Sequence, residues 1–194
     1  MLDRCCFLLA LAASSQVVAN PITFDNDELG YWRIVNDTVM GGRSQSRFYQ
    51  QDGIGVFEGY LSLENYGGFA SVRRYFSPNF ISDGTVQLRI KGDGRKYQLR
   101  MATPRLYRGM AYVAEFKTEK DEWIQVNFKQ SDFTVRYRGR YVNGAPALDF
   151  SEVSRLGLLL GDKRTGQFRL EVKSILAVDE ENNDKKNDEE NYEI

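Results

Sequence analysis

The sequence predicts an all-β domain, an antiparallel β-sandwich of the jelly-roll type. Apolar and polar residues alternate with a period of two through residues 86–91 and 97–101, as they do in half-buried strands. Turn sequences rich in glycine, aspartate and asparagine separate such runs at even intervals. No segment has the spacing of a long amphipathic helix, so the crossover helices that a parallel sheet needs are missing.

The candidate strands follow one another about every ten residues, a spacing typical of sandwiches and barrels. Turn signals at residues 51–53, 82–84, 92–94 and 143–144 separate neighbouring strands. A single helical turn is expected at residues 148–155. The candidate strands are residues 31–35, 45–50, 55–63, 69–76, 86–91, 97–101, 110–117, 123–128, 156–160 and 167–177.

Residues 1–19 have the pattern of a secretory signal peptide. A charged start with Arg4 precedes an apolar run at residues 5–13, and small residues precede an expected cleavage site after Ala19. The apolar run is far shorter than the ~20 residues of a membrane-spanning helix, so no transmembrane segment is expected. The leader predicts an exported protein, periplasmic or secreted. The alternative is a buried N-terminal strand.

The charge of the chain is divided between a basic domain and an acidic tail. Residues 20–178, the predicted domain, contain 23 basic and 18 acidic residues. Residues 179–194 contain 8 acidic residues and 2 lysines, with no apolar spacing that would bury a face. This composition predicts a disordered acidic tail. The tail either keeps the protein soluble, which is favoured, or folds back on a basic face.

The residue inventory argues against an enzyme. The chain contains no histidine, and its two cysteines lie in the predicted leader. The domain therefore lacks a Ser-His-Asp or Cys-His triad, a zinc site of the usual kind and a disulfide framework. A pair of carboxylates for glycoside hydrolysis is the remaining catalytic option. No local signature marks the candidates for such a pair, Glu58, Glu64, Glu115 and Asp149.

The segment WRIVNDTVMGGRS at residues 32–44 is the most distinctive part of the chain. Gly41 and Gly42 predict a turn in which a glycine needs positive φ or the backbone passes close to another group. Asp37 is expected to cap this turn, and Met40 to fill core space between the sheets. The alternative is that the motif, with Arg43, faces a ligand or partner.

A second glycine pair, Gly67 and Gly68, precedes Phe69 and the strand that follows it. The expected structure there is a hairpin turn or bulge. Glycines also occur in GDGRKY at residues 92–97, but no helix follows them to hold a phosphate, so no nucleotide site is expected.

The segment RYRGRY at residues 136–141 interleaves arginine with tyrosine, as single-stranded nucleic-acid grooves do. In an exported protein, a partner protein, an anionic glycan or the acidic tail is the expected contact, and nucleic acid is not. The candidate binding residues, from this segment and the glycine motifs, are Asp37, Met40, Gly41, Gly42, Arg43, Gly68, Phe69, Arg136, Arg138 and Arg140.

Sugars and calcium are two further candidate ligands. Sugars stack on exposed aromatic side chains, but most of the candidates are expected to be core, Trp32 and Trp123 among them. No cofactor is expected, although structural calcium is a weak possibility if Asp25, Asp27 and Glu28 meet Glu171 or Asp179. The aromatic candidates are Trp32, Tyr97, Tyr107, Tyr112, Trp123 and Tyr137.

Motifs in a fixed order across residues 24–177 resemble those of the complex I intermediate-associated protein family. They are WRIVNDTVMGGRS (32–44), FEGYLSLENYGGFASV (57–72), GDGRKY (92–97), EW (122–123), VNF (126–128), DF (132–133), RGR (138–140), LG (156–157), GDK (161–163) and GQF (166–168).

This resemblance implies a galactose-binding-like jelly roll with a non-catalytic binding role, since mitochondrial members take part in assembling NADH:ubiquinone oxidoreductase. Those members carry a transit peptide, whereas this chain has a secretory-type leader and so resembles an exported, bacterial-type member. Two hypotheses follow: a module that binds a protein partner in an assembly or chaperone-like role, and an exported carbohydrate-binding module.

Overall fold

The computed structural model describes residues 21–24, 31–75 and 84–178, and two antiparallel sheets make up most of this part of the chain. The strands are β1 (Trp32–Ile34), β2 (Gln45–Gln51), β3 (Ile54–Leu61), β4 (Ala70–Tyr75), β5 (Thr85–Lys91), β6 (Lys96–Ala102), β7 (Met110–Lys117), β8 (Trp123–Phe128), β9 (Thr134–Tyr137), β10 (Arg140–Tyr141), β11 (Arg155–Leu160) and β12 (Gly166–Val178).

One sheet has seven strands in the order β1-β4-β11-β6-β7-β9-β10, and the other has five in the order β2-β3-β12-β5-β8. All the strand pairs are antiparallel. The predicted all-β sandwich is therefore confirmed. Within the described residues no helix is long and apolar enough to cross a membrane.

The core lies between the inner faces of the two sheets. Leu156, Leu158 and Leu160 of β11 are fully buried, and Leu170 and Val172 of β12 are buried in the same cluster. Full burial of one such side chain contributes about 1.5–3 kcal/mol. Because strand side chains alternate between faces, the period-two pattern in the sequence marks the buried side of each strand.

The hairpin of β9 and β10 was not among the predicted strands. Its two-residue loop is Arg138-Gly139, and both residues have positive φ (48° and 81°), as a tight hairpin turn requires. The expected helical turn near residue 150 is present as a 3-10 turn, Phe150–Glu152, and the Asp149 carboxylate accepts a hydrogen bond of 2.9 Å from the Ser151 N–H at its start.

The second glycine pair does not form a hairpin turn or bulge, so that prediction is wrong. Strand β3 belongs to the five-stranded sheet and β4 to the seven-stranded sheet, so residues 62–69 cross from one sheet to the other. Residues 35–44 make the same kind of crossing between β1 and β2. The two glycine motifs are thus two sheet-to-sheet crossings. The predicted leader and acidic tail lie outside the described residues.

Candidate functional site

Asp37 joins the two crossing loops. It begins the 3-10 turn Asp37–Met40 and is fully buried. Its Oδ1 accepts a hydrogen bond from the Ser44 N–H (2.9 Å), and its Oδ2 accepts one from the Ser44 hydroxyl (2.6 Å). From the second loop, the N–H groups of Gly68 (2.6 Å) and Phe69 (3.2 Å) donate to Oδ2. One carboxylate therefore receives four hydrogen bonds from two loops. We call this arrangement the Asp37 junction.

Glycine is required on both sides of this carboxylate. A Cβ on Gly42 would lie 2.5 Å from Oδ1 of Asp37, and a Cβ on Gly67 would lie 2.6 Å from Oδ2. Gly41 ends the 3-10 turn in the left-handed conformation, with φ of 90°. In the first glycine pair, Gly41 therefore has the expected positive φ, and Gly42 has the expected close approach to another group.

The Asp37 carboxylate stays charged in this setting. Burial raises its pKa, but the hydrogen bonds from Ser44, Gly68 and Phe69 outweigh burial and leave the pKa below its ordinary value. As expected, the carboxylate caps the turn that contains Gly41 and Gly42, through the Ser44 N–H, and it also binds the second loop. The residue before the 3-10 turn, Asn36, makes no side-chain cap.

Large apolar side chains project from the two joined loops into solvent. Val39 and Met40 are 68% and 64% exposed, Leu63 is 42% exposed, and Tyr66 is fully exposed. We call these four residues the loop surface. The expectation that Met40 fills core space is wrong, since it lies at the solvent-facing end of the 3-10 turn.

Polar contacts between the loops surround the loop surface. Arg43, which is exposed, forms a 3.0 Å ion pair with Glu64. The Asn65 side chain donates a 3.3 Å hydrogen bond to the carbonyl of Gly41. Phe69, in the second loop, is half-buried. The predicted binding residues of the two glycine motifs therefore form one region of the molecule.

The predicted basic cluster lies elsewhere. The loop surface adjoins β1 and β4 at one edge of the seven-stranded sheet, whereas β9 and β10 form the opposite edge. Six strand spacings of ~4.8 Å separate the outermost strands, roughly 29 Å. A single small contact patch does not include both groups.

Within the basic cluster only part of the charge faces solvent. Arg136 is half-buried, donates a 2.9 Å hydrogen bond to Glu115 and lies 4.6 Å from the ring centre of Tyr141. Arg138 and Arg140 are exposed at the hairpin turn. The hairpin itself, which the sequence pattern did not reveal, holds Arg138 at the tip.

Most of the candidate sugar-stacking aromatics are not available to a ligand. Trp32, Tyr97 and Tyr112 are buried. Trp123, expected in the core, is half-buried on edge strand β8, where Lys91 lies 5.4 Å from its ring centre. Tyr137 is half-buried, and the exposed member of the set is Tyr107.

The four candidate catalytic carboxylates are each engaged by local partners. Glu58 accepts a 2.7 Å hydrogen bond from Arg47 and also pairs with Arg169. Glu64 pairs with Arg43, Glu115 with Arg136, and Asp149 caps the 3-10 turn that follows it. Burial raises the pKa of Glu58 and that of Glu115, but the neighbouring arginines have the larger effect. The net result is that both pKa values are lowered.

Across residues 21–24, 31–75 and 84–178, no three acidic, histidine or cysteine side chains are grouped to bind a metal ion. Of the calcium candidates, Glu171 is paired with Lys91 at 2.8 Å and with Arg169 at 2.9 Å. Asp25, Asp27, Glu28 and Asp179 lie outside the described residues.

Ser44 and Gly67, which complete the Asp37 junction, belong to the two glycine motifs, but the sequence did not indicate that either contacts Asp37. A serine after a glycine turn is common, and its hydrogen bond to Asp37 depends on how the loop closes. The close approach of Gly67 to Asp37 likewise depends on where the second loop lies.

The fold is similar to that of carbohydrate-binding modules. A family 11 carbohydrate-binding module from a cellulosomal cellulase of Clostridium thermocellum superposes with a TM-score of 0.61 at 13% identity, covering 85% of this chain and 96% of the module. The same organism's module in complex with a β-1,3-1,4-mixed-linked tetrasaccharide superposes with a TM-score of 0.58 at 15% identity, covering 85% and 98%. At such identities the likeness concerns the fold alone.

The chain belongs to the complex I intermediate-associated protein 30 family, whose model matches residues 22–172. It is 25% identical to mouse complex I intermediate-associated protein 30, mitochondrial, over 78% of this chain and 53% of that protein. A protein of Schizosaccharomyces pombe is 26% identical, covering 76% of this chain and 77% of its own length. The chain spans about half the length of the mouse relative. The resemblance seen in the sequence motifs is confirmed.

Proposed function

We propose that this domain is a non-enzymatic binding module that holds a protein partner through the loop surface, in an assembly-factor-like role. One observation carries the proposal: four large apolar side chains are exposed on two loops that a single buried carboxylate holds together. The name of the mouse relative, a protein associated with complex I intermediates, supports a protein partner for a member of the same family.

Preorganisation favours the loop surface as a binding site. Singly scattered apolar residues are ordinary on protein surfaces, but these four share two loops that also contact each other through Arg43–Glu64 and Asn65–Gly41. Loops already fixed in one conformation lose little entropy when a partner binds. A partner that buries Tyr66 and Met40 gains about 1.5–3 kcal/mol for each side chain.

The composition of the region fits a protein interface. Aromatic residues and methionine are enriched at the centre of such interfaces, and charged residues surround them. Tyr66 and Met40 provide the first feature, and the Arg43–Glu64 pair provides the second. Because this pair is exposed, it would contribute more to orientation than to affinity.

Three features support a role without catalysis. The chain has no histidine, and Asp37 is saturated with hydrogen bonds. A general acid needs a raised pKa, whereas the arginines beside Glu58 and Glu115 hold the pKa of each carboxyl below its usual value.

The proposed setting is outside the cytoplasm, on the evidence of the leader sequence. Mass spectrometry of the protein recovered from its native cells tests this directly. An N-terminus at Asn20 is expected, following cleavage after Ala19. A protein that retains Met1 would contradict export.

Cross-linking followed by capture of the intact protein tests the loop surface. The double variant Met40→Ser, Tyr66→Ser is compared with wild type and with Tyr107→Ser, which removes an exposed tyrosine from another loop. The proposal expects the partner protein to be lost from the double variant and retained by Tyr107→Ser. An identical partner list for all three proteins would overturn it.

Two further arms separate the alternatives. Arg138→Glu, Arg140→Glu alters the exposed hairpin at the opposite edge, and this variant is expected to retain the partner. A glycan array with the wild-type domain tests carbohydrate binding. Specific glycan binding that survives Met40→Ser, Tyr66→Ser would favour the carbohydrate-binding alternative over the proposed role.

A further inference from the structure

The outer face of the seven-stranded sheet gathers arginines from three adjacent strands. The register places Arg73 of β4 and Arg100 of β6 directly opposite Gly157 of the intervening strand β11. Arg155 lies two residues before Gly157 and so projects from the same face. We call the region formed by Arg73, Arg100 and Arg155 around Gly157 the arginine cleft.

The cleft is a small cavity of about 80 Å³, lined by the three arginines together with Ser71, Gly109 and Gly157. Its floor is shaped by the absence of a side chain at Gly157, where a Cβ would lie 2.8 Å from the Val72 carbonyl oxygen and 3.2 Å from Cγ of Arg73. A water molecule needs roughly 10–15 Å³ of such volume. The cavity therefore admits a group of several heavy atoms but not a folded segment.

Within the described residues, no carboxylate is paired with these three arginines. Arg100 donates a 3.0 Å hydrogen bond to the neutral side chain of Gln98, and Arg155 lies 5.7 Å from the ring centre of Tyr75. Glu115 shares the same face but is engaged by Arg136 at 2.9 Å and by Lys96 at 3.6 Å.

Such an arrangement opposes folding. Burial, with repulsion from Arg73, Arg155 and Arg136, lowers the pKa of Arg100 to about 10. Burial and the charge of Arg155 lower the pKa of Arg73 as well. The guanidinium groups still carry their charge near neutral pH. Like charges placed together on adjacent strands are destabilising. An anion bound among the three arginines would offset this destabilisation.

We propose that the arginine cleft is an oxyanion-binding site that takes the phosphate or sulfate group of a small molecule. Guanidinium forks present paired N–H donors that match the oxygens of such groups. Three cationic side chains match the charge of a doubly charged tetrahedral group better than that of a single carboxylate. The cavity of about 80 Å³ is large enough for a group of that size. The site is independent of the loop surface, since it is built on the sheet face.

The test uses the full-length purified chain with inorganic phosphate and sulfate as probes, and chloride at matched ionic strength. Binding is followed by calorimetric titration and by the anion-dependent rise in Tm. Arg100→Gln and Arg155→Gln remove one guanidinium each from the cleft. Arg89→Gln is the matched control, because Arg89 is an exposed arginine of the five-stranded sheet.

We expect phosphate or sulfate to raise Tm where chloride does not, and each cleft variant to weaken anion binding by about tenfold or more. Arg89→Gln should bind like wild type. If one of the two cleft variants does not fold, the other is sufficient for the test. A stronger response to one probe than to the other identifies the ester class.

Three results would overturn the proposal: phosphate and sulfate acting no better than chloride, a folded cleft variant retaining full affinity, or Arg89→Gln losing as much affinity as the cleft variants. The last two would indicate nonspecific attraction to a basic protein.

Discussion

The Asp37 junction surrounds a charge with hydrogen-bond donors, whereas the arginine cleft groups like charges together. At the junction, one carboxylate receives four hydrogen bonds, and its pKa is lowered overall although burial raises it. In the cleft, three cations face one another with no carboxylate paired to them among the described residues, and the pKa of Arg100 falls to about 10. The first charge stabilises the fold, whereas the second group destabilises it.

The five-stranded sheet shows that this difference is not a general property of the outer faces. There, Arg169 pairs with Glu171 at 2.9 Å and also with Glu58, and Lys91 pairs with Glu171 at 2.8 Å. Arg169 and Lys91 on that face are therefore matched by acids. A compensated charge needs no ligand, and an uncompensated one indicates where a ligand of opposite charge would bind.

Removing the carboxylate at the junction should have the largest effect. Asp37→Ala leaves one buried N–H donor, that of Ser44, and two partly buried ones, those of Gly68 and Phe69, without an acceptor, and each costs up to about 1–3 kcal/mol. Allowing for partial hydration, the free energy of unfolding should fall by roughly 3–5 kcal/mol. Urea denaturation measures this. A loss below ~1 kcal/mol would show that the junction is not the stabilising contact described.

The glycine that faces the carboxylate should come next. Gly42→Ala places a Cβ 2.5 Å from Oδ1 of Asp37, so the carboxylate or the loop must shift. Overpacking of this kind costs about 1–3 kcal/mol. Gly42→Ala in an Asp37→Ala background is the control. The contacts with the carboxylate are then removed and only the 2.8 Å approach to the Cβ of residue 37 remains, so the added loss should be smaller. Equal losses in both backgrounds would contradict the close approach.

Acid should affect the junction and leave the cleft unchanged. Because the folded-state pKa of Asp37 is lowered, its contribution is present above the ordinary carboxyl pKa and is lost as pH falls through the folded value. The arginines stay protonated throughout this range. Denaturation of wild type and Asp37→Asn between about pH 2 and 6 should show a steeper loss for wild type. Parallel curves would contradict this assignment.

A smaller effect is expected on the compensated face. Arg169→Gln removes contacts to Glu58, Glu171 and the Tyr49 hydroxyl. Since Arg169 is partly exposed, the loss should be about 1 kcal/mol or less. Thermal denaturation at low and high salt measures it, and high salt should reduce the difference. An increase in the stability of Arg169→Gln would contradict the difference described between the two sheet faces.

The strands could be predicted because the alternation of buried and exposed side chains is a local property of each segment. Hairpin β9–β10 escaped prediction because it is short and is held by pairing with β7. The link from Asp37 to the second loop could not be predicted, since its partner Gly68 lies 31 residues further along the chain. Trp123 and Met40 were misplaced because their burial depends on which face meets the other sheet.

The arginine cleft had no local signal at all. Arg73, Arg100 and Arg155 lie on strands that are far apart in sequence, and only the strand register brings them to Gly157. The glycine motifs, in contrast, were visible as motifs, but their joint role required the two sheet-to-sheet crossings. Local patterns thus located the candidate loops, and tertiary pairing determined what they do.

The sign of one stability change tests the contrast most directly. Arg100→Gln is measured by urea denaturation in chloride buffer without phosphate or sulfate, beside Arg169→Gln and the Arg89→Gln control. Relief of repulsion predicts that Arg100→Gln raises the free energy of unfolding, by up to about 1 kcal/mol, whereas Arg169→Gln lowers it. A loss of stability in Arg100→Gln would show that this cation is already compensated within the chain, and would contradict the account.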